Sequence, residues 1–165
     1  MHATPRAYVQ ELARSWPGGR ILEIGSRNVN GGVRTLFQRR PATFYLGVDL
    51  VDGVGVDVVA DAATWHHAGP AFDLVLCLEV FEHTPAIAPL IRTAWRELCP
   101  GGRFVFTCAG PARAPHGAAG GLLLPGEFYR NVELEQLRAE LGGWWIAELE
   151  YRRGELDLVG TVYRP

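Results

Sequence analysis

The sequence predicts an α/β protein with a doubly wound, mostly parallel sheet of seven strands and an antiparallel C-terminal hairpin. Two observations lead to this fold class. Short apolar runs, many of them β-branched, alternate with amphipathic helical stretches along most of the chain, which is the pattern of parallel strands joined by helices. Two closing apolar runs are separated by only a few residues, so they are expected to pair antiparallel.

The first predicted elements are a helix, a strand and a second helix. Thr4 followed by Pro5 is a helix-start signal, and apolar residues then recur every four positions until the Pro-Gly-Gly at 17–19. The β-branched run at 21–24 predicts a buried strand that closes on Gly25. A loop rich in Gly and Asn follows, and apolar residues at 33, 36 and 37 predict the second helix.

Three further strands and a third helix follow. Apolar runs at 44–49, 56–60 and 72–78 predict strands two to four, each ending at polar or acidic residues. The next helix starts near Thr84, and Ile87, Ile91 and Leu98 are expected to face the core, while Pro89 predicts an irregular first turn. The Pro-Gly-Gly at 100–102 is expected to stop this helix before strand five at 103–108.

The last part of the chain combines a long loop, a helix and the hairpin. Residues 109–130 are rich in Gly, Pro and Ala, and an unstructured segment of this length is usually tied to function or mobility. Leu134, Leu137 and Leu141 predict the last helix, which ends at a Gly-Gly pair. The runs at 144–151 and 156–163 predict the hairpin.

Composition favours one domain and limits the classes of partner. The 165 residues are 48% hydrophobic and 21% charged, which fits a single domain over 1–165. The formal net charge is -2 and no dense Lys or Arg run occurs, so nucleic acid is not an expected partner. No signal-peptide core or membrane-length apolar run occurs, so we expect a cytoplasmic protein without a membrane partner. The expected oligomeric state is a monomer or a homodimer.

The acidic residues that end the first four strands predict the ligand site. Ligands of open α/β sheets bind outside the carboxyl ends of the strands. Glu23, Asp49, Asp61 and Glu79 stand at these ends. Four carboxylates repel an anion such as a dinucleotide pyrophosphate and suit a cationic ligand that carries hydroxyl and amine groups.

Two of these acids have positions that favour a nucleoside. Asp49 lies 24 residues after Gly25, near the offset at which an acid accepts from ribose hydroxyls, although it is also a solvated strand-end residue that can cap the next turn. Asp61 is a candidate acceptor for an adenine amine, and equally a candidate cap for a short helix at 62–65. Both alternatives stay open for Asp61, and one side chain can serve both roles.

Five segments, in order and spacing, resemble the class I S-adenosylmethionine-dependent methyltransferases, and in particular the small methyltransferase type 11 group. The segments are ILEIGSRNVNGG, FYLGVDL, VVADA, FDLVLCLEVFEHT and ELCPGGRFVFTCAG. The resemblance covers nearly the whole chain. The resemblance implies a Rossmann-like fold, S-adenosylmethionine as cofactor, and methyl transfer to an oxygen or nitrogen of a small-molecule acceptor.

The resemblance also implies which residues bind the cofactor. It places Glu23 near the methionine part, Asp49 at the ribose, Asp61 at the adenine and Glu79 beside the sulfonium. The full set of cofactor-binding residues that it implies is Glu23, Gly25, Ser26, Arg27, Asp49, Leu50, Asp61, Ala62 and Glu79.

The first motif departs from the family pattern of three alternating glycines. Arg27 and Val29 occupy the second and third glycine positions, and the glycines arrive later, as Gly31 and Gly32. Arg27 either pairs with the carboxylate of the cofactor or points into solvent. Arg27 also argues against a nicotinamide enzyme, because the glycines of a dinucleotide-binding motif must let the backbone approach a pyrophosphate.

A general base is optional, since the sulfonium is already activated and the protein mainly aligns the acceptor and excludes water. His83 and His116 are the candidate catalytic residues, because histidine titrates near neutral pH. The alternatives are that His83 orders the loop beneath the cofactor and that His116 is an ordinary loop histidine. The three cysteines lack metal or disulfide spacing, and no metal site is predicted.

Two other functional classes stay open. A module that binds the nucleoside without transferring a methyl group is compatible with Arg27 and Val29 in the first motif. An accessory protein that retains only the fold is the third possibility.

Overall fold

The computed structural model describes residues 2–39 and 43–165, and within them seven strands form one sheet. The strands are β1 (Arg20–Ile24), β2 (Phe44–Asp49), β3 (Val58–Val59), β4 (Phe72–Leu78), β5 (Leu98–Ala109), β6 (Trp145–Arg152) and β7 (Asp157–Tyr163). Their order across the sheet is β3-β2-β1-β4-β5-β7-β6. The first five strands run parallel, and β7 pairs antiparallel with both β5 and β6. The predicted fold class is therefore confirmed.

Helices cover both faces of this sheet. They are α1 (Ala3–Ser15), α2 (Arg34–Phe37), α3 (Ile87–Glu97) and α4 (Leu134–Glu140), with a short 3₁₀ turn at Phe81–His83. Alternate side chains of β4 serve the two layers: Leu74 and Leu76 pack with α1 and α2, whereas Val75 and Cys77 pack with α3 and α4. A central parallel strand buried on both faces needs apolar residues at nearly every position, which explains the continuous run at 72–78.

Strand β5 starts earlier than the sequence predicts. The prediction that the helix includes Leu98 and continues to the Pro-Gly-Gly is wrong: α3 stops at Glu97, and Leu98 is extended and pairs with Phe72. The register between β4 and β5 then shifts, and Gly101 adopts a φ of +76°. The Pro-Gly-Gly at 100–102 therefore forms an irregularity inside the strand, while Leu98 stays fully buried as the apolar pattern required.

Most of the remaining boundaries agree with the predictions within about one residue, and the main differences lie at β3, at the 3₁₀ turn and at the start of α3, which begins at Ile87 rather than near Thr84. Strands β2 and β4 have the predicted bounds, and the C-terminal hairpin forms as expected. Strand β3 is shorter than the predicted 56–60 and covers only Val58–Val59, and the 3₁₀ turn was not predicted. No helix within 2–39 and 43–165 has the length and apolar character needed to cross a bilayer.

Candidate functional site

A cleft of about 280 Å³ opens at the carboxyl ends of the parallel strands. The ends of β1, β2 and β4, the turn after β3 and part of the long loop after β5 form its walls. Every candidate site residue of the sequence analysis lines this cleft: Glu23, Gly25, Ser26, Arg27, Asp49, Leu50, Asp61, Ala62, Glu79, His83 and His116. The strand ends thus bring together the acids that the sequence places far apart.

Gly25 sets the floor of the cleft where β1 ends. Its φ is +74°, and a Cβ there would lie 2.3 Å from Cγ2 of Val80. Arg27 and Val29 do not have positive φ angles, so the backbone does not require glycine at their positions. The departure of the first motif from the three-glycine pattern is therefore compatible with an unstrained loop.

Glu23 is a buried carboxyl group in this floor. Tyr45 donates a hydrogen bond from Oη to Oε2 of Glu23 at 2.8 Å. Burial raises the pKa of Glu23 to about 7, against the opposing effects of the Tyr45 hydrogen bond and the charge of Arg34. A cationic ligand beside Glu23 would favour its ionised form.

Asp49 connects two loops at the wall of the cleft. Its Oδ2 accepts from the backbone N–H of Arg27 at 3.0 Å, and its Oδ1 accepts from the N–H of Val51, also at 3.0 Å. The carboxylate therefore fixes the loop after β1 against the turn after β2. Leu50 follows at the rim with 69% of its surface exposed, which leaves an apolar side chain beside the cleft.

Asp61 takes the capping role that the sequence left open, and it also lines the cleft. Its Oδ1 accepts from the N–H of Ala63 at 2.9 Å, and its carbonyl oxygen accepts from the N–H groups of Thr64 and Trp65. The capped segment is a turn rather than a helix. Ala62 is buried next to it.

Glu79 directly follows β4 in a left-handed conformation with a φ of +57°, which is unusual for a residue with a side chain. Its N–H donates to the carbonyl oxygen of Thr107, and its Oε1 accepts from Oγ1 of Thr107 at 3.0 Å. Burial raises the pKa of Glu79, and the nearby Arg113 opposes this shift. The backbone turn at Glu79 leads directly into the 3₁₀ turn that carries His83.

Aromatic rings lie at the end of the cleft that is formed by the 3₁₀ turn and the long loop after β5. The ring of His83 meets the ring of His116 edge-on with centroids 5.0 Å apart, and Tyr129 packs against both. Burial and the neighbouring His116 lower the pKa of His83 to about 4, so it is neutral at pH 7 and a weak base there. This geometry favours the ordering role for His83 over the base role.

Sequence reasoning missed one buried acid at this end. Glu82 is fully buried, and neither carboxyl oxygen has a hydrogen-bond partner among the described residues. One ligating atom each from Glu82, His83 and His116 lie within 4.8 Å of one another. The signal was present in the segment EVFEH, where Glu82 follows Glu79 by three residues and directly precedes His83.

A model of a methyltransferase domain family matches residues 1–152 of the chain. The chain belongs to this family. The predicted recognition is therefore confirmed, and so are the enzyme class, an S-adenosylmethionine-dependent methyltransferase, and the cofactor of that class.

Similar proteins extend this assignment. The ubiquinone biosynthesis O-methyltransferase of Escherichia coli O157:H7 is 27% identical over 117 residues, which cover 61% of this chain and 47% of that protein. The structure of Haemonchus contortus phosphoethanolamine N-methyltransferase 2 with S-adenosyl-L-methionine superposes with a TM-score of 0.70 at 16% identity, covering 98% of this chain and 52% of the other. This methyltransferase domain thus spans about half the length of these relatives.

The structure of a third similar protein contains two bound small molecules. Burkholderia thailandensis 1,6-didemethyltoxoflavin-N1-methyltransferase, with bound 1,6-didemethyltoxoflavin and S-adenosylhomocysteine, has a TM-score of 0.67 and 17% identity. The superposition covers 98% of this chain and 77% of that one. Both structural likenesses show that the methyltransferase domain has the same fold as these proteins.

Proposed function

We propose that this methyltransferase domain, as a single domain, binds S-adenosylmethionine in the cleft and transfers its methyl group to an oxygen or nitrogen of a small-molecule acceptor. The observation that carries the proposal is the convergence of four strand-end acids, Glu23, Asp49, Asp61 and Glu79, on one cleft. Carboxylates suit a ligand with a sulfonium, an ammonium, hydroxyl groups and an exocyclic amine.

The residues of the cleft fit such a ligand. Ser26 lines the cleft, and its buried Oγ, which lies beside Gly47, has no hydrogen-bond partner in the described structure. Asp49 stands where it can accept from ribose hydroxyls, because a carboxylate oxygen that accepts one backbone N–H retains a second lone pair. Leu50 at the rim offers an apolar surface for a base.

When bound, S-adenosylmethionine supplies an electrophilic methyl carbon: the acceptor lone pair bonds to it, the carbon–sulfur bond breaks, and that electron pair stays on sulfur. The protein then has to orient the acceptor and exclude water. His116, Gly117 and Gly120 of the loop after β5 line the cleft, and Gly120 lies against the side chain of Asn30. The long loop therefore closes the cleft over the acceptor in this proposal.

A small-molecule acceptor is favoured by two features. The net charge of -2, without a dense Lys or Arg run in the sequence, does not favour a nucleic-acid acceptor. The Escherichia coli relative is named for ubiquinone biosynthesis, and the Burkholderia protein was solved with 1,6-didemethyltoxoflavin. For this chain we propose an acceptor of a size comparable to that of 1,6-didemethyltoxoflavin.

Calorimetry with S-adenosylmethionine and S-adenosylhomocysteine tests the cofactor site. Asp49→Ala should weaken binding by about 100-fold, because it removes a carboxylate that accepts from hydroxyls and anchors the loop after β1. Asp52→Ala is the matched control, since Asp52 is an exposed acid that does not line the cleft.

Mass-spectrometric detection of methylated product from an acceptor panel tests the transfer step. Tight cofactor binding without product on any acceptor would favour the binding module without transferase activity. Equal affinity of wild type and Asp49→Ala for S-adenosylmethionine would show that the ribose lies elsewhere. No binding at all would favour an accessory protein that retains only the fold.

A further inference from the structure

We infer that Glu82, His83 and His116 form a binding site for a first-row divalent transition-metal ion, whose open positions face the cleft and take an oxygen of the acceptor. The observation behind this inference is a single cluster: one ligating atom from each residue, all within 4.8 Å of one another. The acceptor part of the inference rests on the proposed function, whereas the metal site does not.

Glu82 is the strongest indication that a ligand belongs here. Its side chain is completely buried at the 3₁₀ turn, and both carboxyl oxygens lack hydrogen-bond partners. The backbone N–H groups of Glu82 and Ala109 face the carboxyl group, but neither reaches hydrogen-bond geometry. A buried carboxyl group without hydrogen-bond partners is costly, and a cation is one kind of ligand that offsets this cost.

Each histidine leaves a ring nitrogen that an ion can use. Nδ1 of His116 lies 3.2 Å from the carbonyl oxygen of Ala114, and a carbonyl can only accept, so Nδ1 donates and Nε2 is the nitrogen left for an ion. Metal-ligating histidines typically donate their second ring N–H in this way. Nδ1 of His83 is buried without a partner, which leaves this ring free to ligate as well.

The distances allow ligation after a small closure. A tetrahedral ion with ligands at about 2.1 Å separates its ligand atoms by about 3.4 Å, so the present spacing of at most 4.8 Å requires only a modest movement.

The ligand set indicates the class of ion and its role. Two imidazoles and one carboxylate suit zinc and other first-row divalent ions, and three protein ligands leave open positions for a small molecule. His83 and His116 both line the cleft, so these positions face the space assigned to the acceptor. An acceptor hydroxyl bound to the ion would lose its proton to solvent more easily than a free one.

Metal binding by chelator-treated protein tests the site without any enzyme assay. We expect one Zn²⁺ per chain by calorimetry, and a visible absorption spectrum of a protein-bound ion with Co²⁺. His116→Ala should lower Zn²⁺ affinity by at least about 100-fold, because it removes one of three ligands. Glu82→Gln, which preserves the size of the buried side chain, should have a similar effect.

His66→Ala is the matched control, since it removes a largely exposed histidine that does not line the cleft. Its Zn²⁺ affinity should equal that of wild type. Failure of wild type to bind one equivalent, or equal affinity in wild type and His116→Ala, would overturn the inference. The comparison of Zn²⁺ affinity between wild type and His116→Ala tests the inference even where Glu82→Gln does not fold.

Acetohydroxamate, a small ligand with two oxygen donors, tests the open positions. It should change the spectrum of the Co²⁺-loaded wild type, and an unchanged spectrum would overturn the acceptor part. These results are separable from the proposed function: a chain that binds Zn²⁺ but not S-adenosylmethionine would refute the cofactor site alone, and the reverse result would refute the metal site alone.

Discussion

The two ends of the cleft differ in how their polar groups are held. At the end proposed for the cofactor, Asp49 and Asp61 accept from backbone N–H groups, and Glu23 accepts from Tyr45. At the end proposed for the acceptor, the carboxyl group of Glu82 and Nδ1 of His83 are buried without hydrogen-bond partners in the described structure. The acids of the first end thus have partners within the fold, whereas the carboxyl group of Glu82 at the second end has none.

Gly25→Ala tests how rigid the cofactor end is, and it has the largest expected effect. The added Cβ would be strained by the φ of +74° and would overlap Val80, so we expect a loss of about 3 kcal/mol in the free energy of unfolding. Urea denaturation measures this loss. Gly101→Ala is the matched control, because its φ is +76° but no atom lies within 4 Å of the added carbon.

The control separates strain from overlap. Gly101→Ala should cost only about 1 kcal/mol. Equal losses in the two variants would mean that the approach of Val80 to Gly25 contributes nothing, and that the floor of the cleft tolerates a side chain.

His116→Ala separates the two ends functionally. The turnover number should fall by about 100-fold, because His116 lies at the acceptor end, as base or as ligand. The dissociation constant of S-adenosylmethionine should not change, since the strand-end acids remain. Product formation and calorimetry measure the two quantities. Unchanged turnover would remove His116 from the mechanism, and a weakened cofactor would show that the two ends are not independent.

The pH dependence of cofactor affinity tests Glu23. Its pKa of about 7 means that it is largely protonated at pH 6, and a cationic ligand prefers the ionised form. Affinity for S-adenosylmethionine should therefore rise about tenfold from pH 6 to pH 7.5. Glu23→Gln should remove most of this rise, and an equally steep profile in that variant would contradict the assignment.

The same pKa affects stability without the cofactor. The pKa of Glu23 is raised from 4.5 to about 7 on folding, so its contribution to stability is full below pH 4.5 and is lost as the pH rises towards 7. Glu23→Gln should not show this loss. Thermal unfolding of both proteins at pH 4.5, 6 and 7.5 makes the comparison.

Tyr45→Phe has the smallest expected effect. It removes the hydroxyl group that donates to Glu23 and lowers its pKa, so the midpoint of the affinity profile should move to higher pH by less than about one unit. The affinity above pH 8 should stay close to wild type. A midpoint that moves to lower pH would mean that Tyr45 disfavours the ionised carboxylate.

The convergence of the strand-end acids was predictable from the sequence, and the burial of Glu82 and the path of the long loop were not. Apolar runs that end at or next to Glu23, Asp49 and Glu79 place these acids at one sheet edge, because parallel strands end at the same side. The path of the long loop depends instead on tertiary contacts that have no local pattern. The N–H of Arg130 donates to the carbonyl oxygen of Glu82, and Nδ2 of Asn131 donates to that of Arg113.

Glu82 illustrates the same limit. A charged residue in the EVFEH segment is expected at a surface, and only the packing of β5 and the loop after it over the 3₁₀ turn encloses the side chain. The helix boundary at Leu98 failed for a related reason, since pairing with Phe72 outweighs the helical spacing of its apolar neighbours.

The loop after β1 also defines where the protein can be redesigned. Gly25 has to remain a glycine, because any side chain there meets Val80. Arg27 and Val29 border the same cleft with ordinary backbone angles, so their size and charge can be exchanged without straining the chain. Libraries at these two positions can therefore change the lining of the cleft while the loop after β1 keeps its backbone path.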